Sequence, residues 1–424
     1  MRIGIIIGRY GDIDGVSLET EKWITVLKRM GHEVFMIAGR YTEHIEDGIH
    51  EECLPVLSFF SPACEWEQKR AFFFPDDEPD ELLEHLHRIS DGIAIQLFKW
   101  TMKNRIEVLL VENAGALPCH LSMGMGIKKL IENTGIKTVC HDHDFYWERG
   151  ERYQTPHKEV EEIINETFPL RMPHIRHAVI NSAARESLMY EFNIDSIVVP
   201  NVMDFTKEYS KEDEYNSDML ESLGLQKTDI ALFQITRIVK RKGIETAIEL
   251  IEKLNDKKVK LVITGSKADD ERLGYFKKLK DIIQEKNIED RVLFGYHKIL
   301  PDRDITSGGE KIYSIPDAYS KARACTYFSS YEGFGNAFVE CILAKRPIFV
   351  NNYKPVYWPE IGSKGFKTVM IEDNKLTDDA INEIDKIIHN KKLCDEIADY
   401  NFELAKKHFT YEVLQELLEK LFYF

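Results

Sequence analysis

The residues best suited to chemistry fall in two short runs. In Glu332-Gly333-Phe334-Gly335-Asn336-Ala337-Phe338-Val339-Glu340, two carboxylates bracket a glycine turn. The apolar run Ala324 to Phe328 leads into it, and a helix is predicted to open at the turn and continue to Ala344. Glycines let backbone approach a ligand closely, and the amides of Gly335, Asn336, Ala337 and Phe338 at a helix start suit a diphosphate. Glu332 precedes the turn and Glu340 lies in the second helical turn, so the carboxylates address different parts of one ligand. A capped surface helix with an ordinary glycine turn is the plain alternative. The second run is Cys140-His141-Asp142-His143-Asp144-Phe145-Tyr146-Trp147, at the end of a predicted strand. In extended chain His141 and His143 project to one side, Asp142 and Asp144 to the other. Paired histidines can chelate zinc and Asp-x-Asp can hold a divalent ion, so metal binding is one reading; a cluster satisfying local backbone is another.

The elements that must carry these runs alternate strand and helix. Ile3 to Ile7 reads as a parallel strand covered on both faces, because it is apolar without alternation. A helix from about Val16 to Met30 follows, with Trp23, Ile24, Val26, Leu27 and Met30 as its apolar stripe and Gly31 placed to end it. Val34 to Ala38, Val108 to Val111, Thr138 to Cys140, Ala178 to Asn181 and Ile197 to Pro200 are further strands, with helices at Lys128 to Glu132 and Glu186 to Tyr190. From Ile230 the pattern restarts: strands Ala231 to Ile235, Lys260 to Thr264 and Val292 to Phe294, with helices Ile244 to Leu254 and Phe276 to Gln284. Two doubly wound α/β domains follow from this, 1–205 and 206–407, with Asp204 to Thr228 as linker and first helix of the second half. A final helix within 408–424 is expected to pack back on the first domain. Residues Pro55 to Pro79, with Phe59-Phe60 and Phe72-Phe73-Phe74, escape the scheme and read either as a lid or acceptor wall or as an insertion with its own core.

The Glu332 to Glu340 element in this setting resembles glycosyltransferase family 4, whose members share a Glu, seven residues, Glu pattern. The resemblance implies two Rossmann-like domains facing across a cleft (GT-B) and a nucleoside-diphosphate sugar as donor, with no metal usually needed. It assigns donor-sugar hydroxyls to Glu332 and the ribose to Glu340. Thr236-Arg237-Ile238-Val239-Lys240-Arg241-Lys242-Gly243 is similar to the family's phosphate clamp, which here falls on Arg237 and Lys242. A guanidinium forks onto phosphate oxygens and an ammonium supplies a mobile charge, offsetting charge on the departing diphosphate. Read alone, Lys240-Arg241-Lys242 is a solvated charge run or localisation signal; its place after a strand favours the clamp. In Gly8-Arg9-Tyr10-Gly11-Asp12-Ile13-Asp14-Gly15, the closest counterpart of the family's phosphate-contacting glycine is Gly15, although Asp14-Gly15 stands where paired glycines are usual. For the histidine run the resemblance adds a third reading, preferred to a metal, of a histidine facing the donor sugar; His141 ends the strand while loop length favours His143. Tyr146 and Trp147 are candidates to stack on an acceptor sugar, and Arg149 and Arg152 to hold a carboxylate or phosphate. Core packing and an exposed helix start are their respective alternatives. Weaker echoes lie at Asn181-Ser182, Val199 to Asp204, Gly265, Gly295 and Asp317-Ala318-Tyr319, while Ile299 to Lys311 looks peculiar to a subgroup.

Composition sets the bounds. The 424 residues are 43% hydrophobic and carry a formal charge of -16, which repels a nucleic-acid backbone over most of the surface, so any anionic substrate needs a local basic pocket. Seven scattered cysteines without CxxC spacing predict a reducing, cytoplasmic setting, and no run approaches the ~20 apolar residues of a membrane span. Together with Val111-Glu112-Asn113, the His-x-His-Asp-Phe-Tyr-Trp-Glu-Arg run and Pro200-Asn201-Val202-Met203-Asp204-Phe205 look like the mannosylglucosylglycerate synthase subgroup. That resemblance implies retaining transfer of mannose from GDP-mannose to glucosylglycerate, an anionic acceptor. The rivals are a metal-dependent hydrolase built on His141 and His143, and a sugar-nucleotide epimerase or binding protein on the same scaffold. Oligomeric state is not legible.

Overall fold

The structure, a computed structural model, describes residues 1–11, 14–42, 48–265 and 274–424. Asp12 and Ile13 of the predicted glycine loop lie outside the described residues. The chain forms two compact units, Met1–Val202 with Tyr411–Phe424, and Met203–Thr410.

Seven strands build the first unit among the described residues: β1 (Arg2–Ile7), β2 (Glu33–Ala38), β3 (His50–Cys53), β4 (Val108–Glu112), β5 (Lys137–Asp142), β6 (Ile175–Val179) and β7 (Ser196–Val198). They lie parallel in the order β3-β2-β1-β4-β5-β6-β7. Ile3, Ile5, Ile6 and Ile7 are buried because helices cover both faces. On one face, Trp23 and Leu27 of helix Gly15–Arg29 pack with Leu414, Leu418 and Leu421 of helix Tyr411–Phe422. On the other, Ile93, Leu97 and Trp100 of helix Asp80–Asn104 pack with Met123, Ile127 and Ile131 of helix Leu121–Thr134. The first helix starts where Asp14 accepts hydrogen bonds from the amides of Val16 (3.0 Å) and Ser17 (3.1 Å), and it ends at Gly31, whose φ of 80° is left-handed.

The 25-residue helix Asp80–Asn104 is absent from the sequence reading, because charges interrupt its apolar stripe. Ahead of it, the aromatic segment folds as helix Pro62–Gln68 and a π turn, Lys69–Phe73. Ala71 there packs with Leu82, Leu86, Leu121, Met125 and Phe168, so the segment has a small core shared with the helices beneath it. The Phe422-Tyr423-Phe424 tail is docked: Arg176 donates to the carbonyls of Lys420 (2.6 Å) and Tyr423 (2.9 Å), and Phe422 is buried.

The second unit holds β8 (Ile230–Ile235), β9 (Val259–Thr264), β10 (Val292–Phe294), β11 (Ile299–Leu300), β12 (Asp304–Ile305), β13 (Lys311–Ser314), β14 (Ala324–Tyr327), β15 (Ile348–Asn351) and β16 (Val369–Ile371). Six of these form a parallel sheet in the order β10-β9-β8-β14-β15-β16, and β11, β13 and β12 form a small separate sheet. Between Asp204 and Thr228, where the sequence predicts linker and helix, regular structure is confined to Met219–Ser222. Buried Asn216 holds part of the remainder, donating 2.8 Å to the Lys211 carbonyl and 2.7 Å to Asp317.

Leu418 is fully buried against the first sheet although it comes from the end of the chain. Leu418→Ala should therefore destabilise the first unit by about 2–5 kcal/mol, read as a lower urea midpoint.

Candidate active site

In open α/β sheets ligands bind beyond the carboxyl ends of the strands where strand order reverses. The reversal falls between β1 and β4 in the first unit and between β8 and β14 in the second. The predicted chemistry-bearing residues sit at those ends, each unit carrying its own cluster.

In the second unit, β8 runs into Thr236 to Gly243 and β14 runs into Glu332. The Glu332 carboxylate, buried, pairs with the buried Lys242 ammonium and accepts a 2.9 Å bond from Arg241 Nη1. Burial pushes the Glu332 carboxyl up, but the Lys242 and Arg241 charges outweigh it and hold it below its ordinary value. Gln234, inside β8, fixes the loop by donating 2.8 Å to the Lys242 carbonyl while accepting 2.9 Å from Thr326 of β14. Gly243 is required here: φ is 60°, and a Cβ would lie 2.0 Å from the Phe328 carbonyl oxygen. Arg237 stands exposed at the edge of the same loop.

The glycine turn packs as closely. Gly335 has φ 131°, and a Cβ on it would meet the Tyr353 hydroxyl at 2.2 Å; that hydroxyl donates 2.9 Å to the Phe334 carbonyl. Helix Asn336–Leu343 starts on Gly335, but the Phe338 amide is spent on the Gly335 carbonyl (2.9 Å). This corrects the expectation of four available amides, because a tight turn at the helix start captures the last of them. Glu340 lies part-buried one turn on, accepting 3.3 Å from the Tyr319 hydroxyl.

In the first unit, β4 and β5 pair so that Glu112 lies beside His141 at the sheet's carboxyl edge. Glu112 Oε2 is 3.0 Å from His141 Nδ1 and 3.5 Å from His143 Nε2, and the imidazole rings lie 4.1 Å apart. Trp23 stacks on His141 at 4.0 Å. Burial pushes the Glu112 carboxyl up, yet both histidines hold it down to about 2; burial also lowers His141 despite that carboxylate. An ionised Glu112 accepting Nδ1–H from a neutral His141 satisfies both, and this tautomer leaves Nε2 as an acceptor. Asn113, left-handed at φ 53°, turns the chain and accepts the His143 amide at 3.0 Å while donating 3.0 Å to Asp144. Asp142 points away, 2.8 Å from His177. The ligand atoms of Glu112, His141 and His143 all lie within 4.8 Å of one another, the spacing the metal reading requires.

The remaining predicted residues are placed as follows. Gly15 opens the first helix, exposed, with nothing within 4 Å of a notional Cβ. Trp147 stacks on Phe145 at 4.6 Å and packs by Phe192, so its ring is committed to the interior. Tyr146 is half-buried beside it, its hydroxyl 3.3 Å from Asn165. Arg149 is exposed and paired with Asp144, whereas Arg152 is held by Gln68 at 2.6 Å. Two residues escaped the sequence reading as site residues: Arg241, hidden in a charge run, and Glu112, whose signal was a carboxylate closing the apolar run Val108 to Val111.

Against known proteins, the family described as Glycosyl transferases group 1 matches residues 217–404. The mannosylglucosylglycerate synthase of Petrotoga mobilis is 32% identical over 392 residues, covering 88% of this chain and 86% of that protein. The chain belongs to the group 1 glycosyltransferases. The mannosylglucosylglycerate synthase of Thermotoga maritima is 30% identical, covering 99% of both chains. Solved structures share the GT-B fold: a glycosyltransferase from Rickettsia africae at TM-score 0.70 and 12% identity, covering 100% of this chain and 99% of that one. Anabaena HepE, in complex with UDP and glucose, has TM-score 0.64 at 13% identity and covers 99% of each. These structures speak to the fold alone, and no helix among the described residues is long and apolar enough to cross a membrane.

Two outcomes follow for this glycosyltransferase. Lys242→Met strands a buried carboxylate and should cost about 3–5 kcal/mol by denaturant unfolding, much of it recovered in the Lys242→Met/Glu332→Gln double variant. Glu112 has a depressed folded pKa, so its contribution is complete above the ordinary value of 4.5 and is lost as pH falls toward about 2. Glu112→Gln should flatten that acid limb in melts taken from pH 5 to 2.

Proposed function

We propose that this glycosyltransferase moves mannose from GDP-mannose to glucosylglycerate, keeping the anomeric configuration. The observation that carries the reading is the near full-length similarity to two proteins named mannosylglucosylglycerate synthase, together with carboxylate clusters at both sheet switch points. The donor diphosphate is assigned to the second unit. There the amides of Gly335, Asn336 and Ala337 face one side of it, and Arg237 and Lys242 meet its charge. Glu332, held ionised by its cations, accepts hydrogen bonds from donor-sugar hydroxyls, and Glu340 from the ribose. Gly15 gives a phosphate room to approach the start of the first helix.

The bond from the anomeric carbon to the diphosphate breaks as an acceptor oxygen attacks from the same face, and the acceptor proton passes to the leaving phosphate oxygen. His141, oriented by Glu112, offers Nε2 to a donor-sugar hydroxyl, with His143 against the same carboxylate. The compatible-solute setting, the cytoplasmic setting and a small anionic acceptor belong to this reading. Glu112, His141 and His143 would suit a divalent ion, but the diphosphate charge has its counterions in the second unit. Similarity to synthases favours transfer over the hydrolase reading.

Product NMR on GDP-mannose and glucosylglycerate should show an α-mannosyl product from the α-donor; a β-linked product overturns retention. A thermal-shift panel should respond to GDP before UDP or ADP, with about 2.7 kcal/mol added at a hundredfold excess over Kd. Chelation with EDTA should leave most of the transfer rate intact. Abolition of transfer by EDTA, with rescue by a divalent ion, would hand the histidine cluster to a metal.

A further inference from the structure

We propose that Arg152 is the anchor for a carboxylate on the acceptor, in a site built by the segment Pro62–Phe73. The proposal rests on the transferase reading for calling the ligand an acceptor; the chemistry recognised, a small carboxylate-bearing glycoside, is argued from the site.

The Arg152 guanidinium is caged by aromatic rings, 4.3 Å over Phe73, 4.7 Å over Tyr153 and 5.8 Å over Phe72. Nη2 donates 2.6 Å to Gln68 Oε1. Gln68 is itself buried and fixed, because its Nε2 donates 2.9 Å to the Pro118 carbonyl, which leaves only Oε1 to face the guanidinium. Nη1 is buried without a hydrogen-bond partner, and among the described residues no carboxylate pairs with Arg152. The chain carries 72 acidic against 56 basic side chains; Arg70 meets Asp76 and Arg303 meets Asp317, while part-covered Arg176 and Arg346 are each met by two or more backbone carbonyls. A caged, uncompensated guanidinium in such a chain leaves a charge for an external anion to meet, and a carboxylate fits its fork.

The surroundings point the same way. His120, two residues beyond the Pro118 that pins Gln68, is buried with neither ring nitrogen hydrogen bonded. Its Nε2 is 3.9 Å from Glu67, whose carboxylate is taken by the amide and hydroxyl of Ser122. Residues 118–122 follow β4 and residues 146–153 follow β5, so the cage stands at the carboxyl edge of the sheet, beside its switch point. Phe73, half exposed, is the ring a ligand would displace to reach Nη1. Arg149 lacks these features, being exposed and paired with Asp144.

The test is calorimetric titration of the full chain, with saturating GDP, using glucosylglycerate and its neutral counterpart glucosylglycerol. Arg152→Met should weaken glucosylglycerate binding about 10- to 100-fold while leaving glucosylglycerol within about twofold, with Arg152→Lys between. Arg149→Met should change neither by more than about twofold. Wild-type binding that does not distinguish the two glycosides, equal losses for both in Arg152→Met, or a carboxylate-specific loss carried by Arg149→Met overturns the proposal. Product formation from GDP-mannose is read in parallel. Its absence in the wild type removes the transferase reading, while an Arg152-dependent preference for the carboxylate still stands.

Discussion

A carboxylate buried at the carboxyl edge of a parallel sheet is the constraint on which both clusters depend. Removing such a group from water costs several kcal/mol unless positive or donating groups meet it. Glu112 and Glu332 each occupy that position, at the ends of β4 and of the loop after β14, and each is all but removed from solvent. The groups that offset the cost are therefore held in place by it. Glu112 fixes the His141 ring and its tautomer, and Glu332 fixes Lys242 and Arg241. Gln234 and Asn113 add neutral hydrogen bonds that hold the backbone carrying these partners.

The two solutions are chemically different. Lys242 and Arg241 are two cations gathered on one carboxylate, an arrangement that suits an anionic ligand such as a diphosphate. A neutral His141 that gives its Nδ1–H to Glu112 keeps Nε2 as an acceptor, so the Glu112 cluster suits hydroxyls. Trp23 against His141 extends an apolar wall to this second cluster, which keeps the imidazole neutral by denying it water.

Much of this was legible because period and punctuation agree. Ile3 to Ile7, Ala231 to Ile235 and Lys260 to Thr264 are short, largely apolar runs, and all three are interior strands of their sheets. The Glu332 to Glu340 run could be placed because its glycines serve both packing and approach, as the contacts a Cβ would make at Gly335 show. What was not legible has physical causes. Helix Asp80–Asn104 dilutes its apolar stripe with charge, since one side faces solvent along its length. Glu112 reads as an ordinary strand end until the β4 to β5 register sets it beside His141, and pairing register cannot be counted off one chain. Trp147 has the look of a stacking platform, yet ring packing with Phe145 is the lower-energy use of an aromatic next to a strand end. The spent Phe338 amide is a matter of turn tightness that Gly335 permits but does not announce.

Charge distribution ties the sites to the whole chain. A formal charge of -16 sets a repulsive field for any anion at a distance, and at physiological ionic strength that field decays within about 8 Å. Recognition of an anionic ligand is then a contact property, made by cations withheld from the surrounding acids. Lys242 and Arg241 are withheld by pairing with a carboxylate that is itself buried and immobile. Arg152 is withheld by aromatic faces and a pinned amide, neither of which neutralises it. The first arrangement holds two cations on one carboxylate, so its net positive charge is spread over fixed partners; the second leaves a lone guanidinium under a ring. A single-charged carboxylate can meet the second completely, whereas a diphosphate, with more charge than one guanidinium can offset, needs the first together with the amides of a helix start.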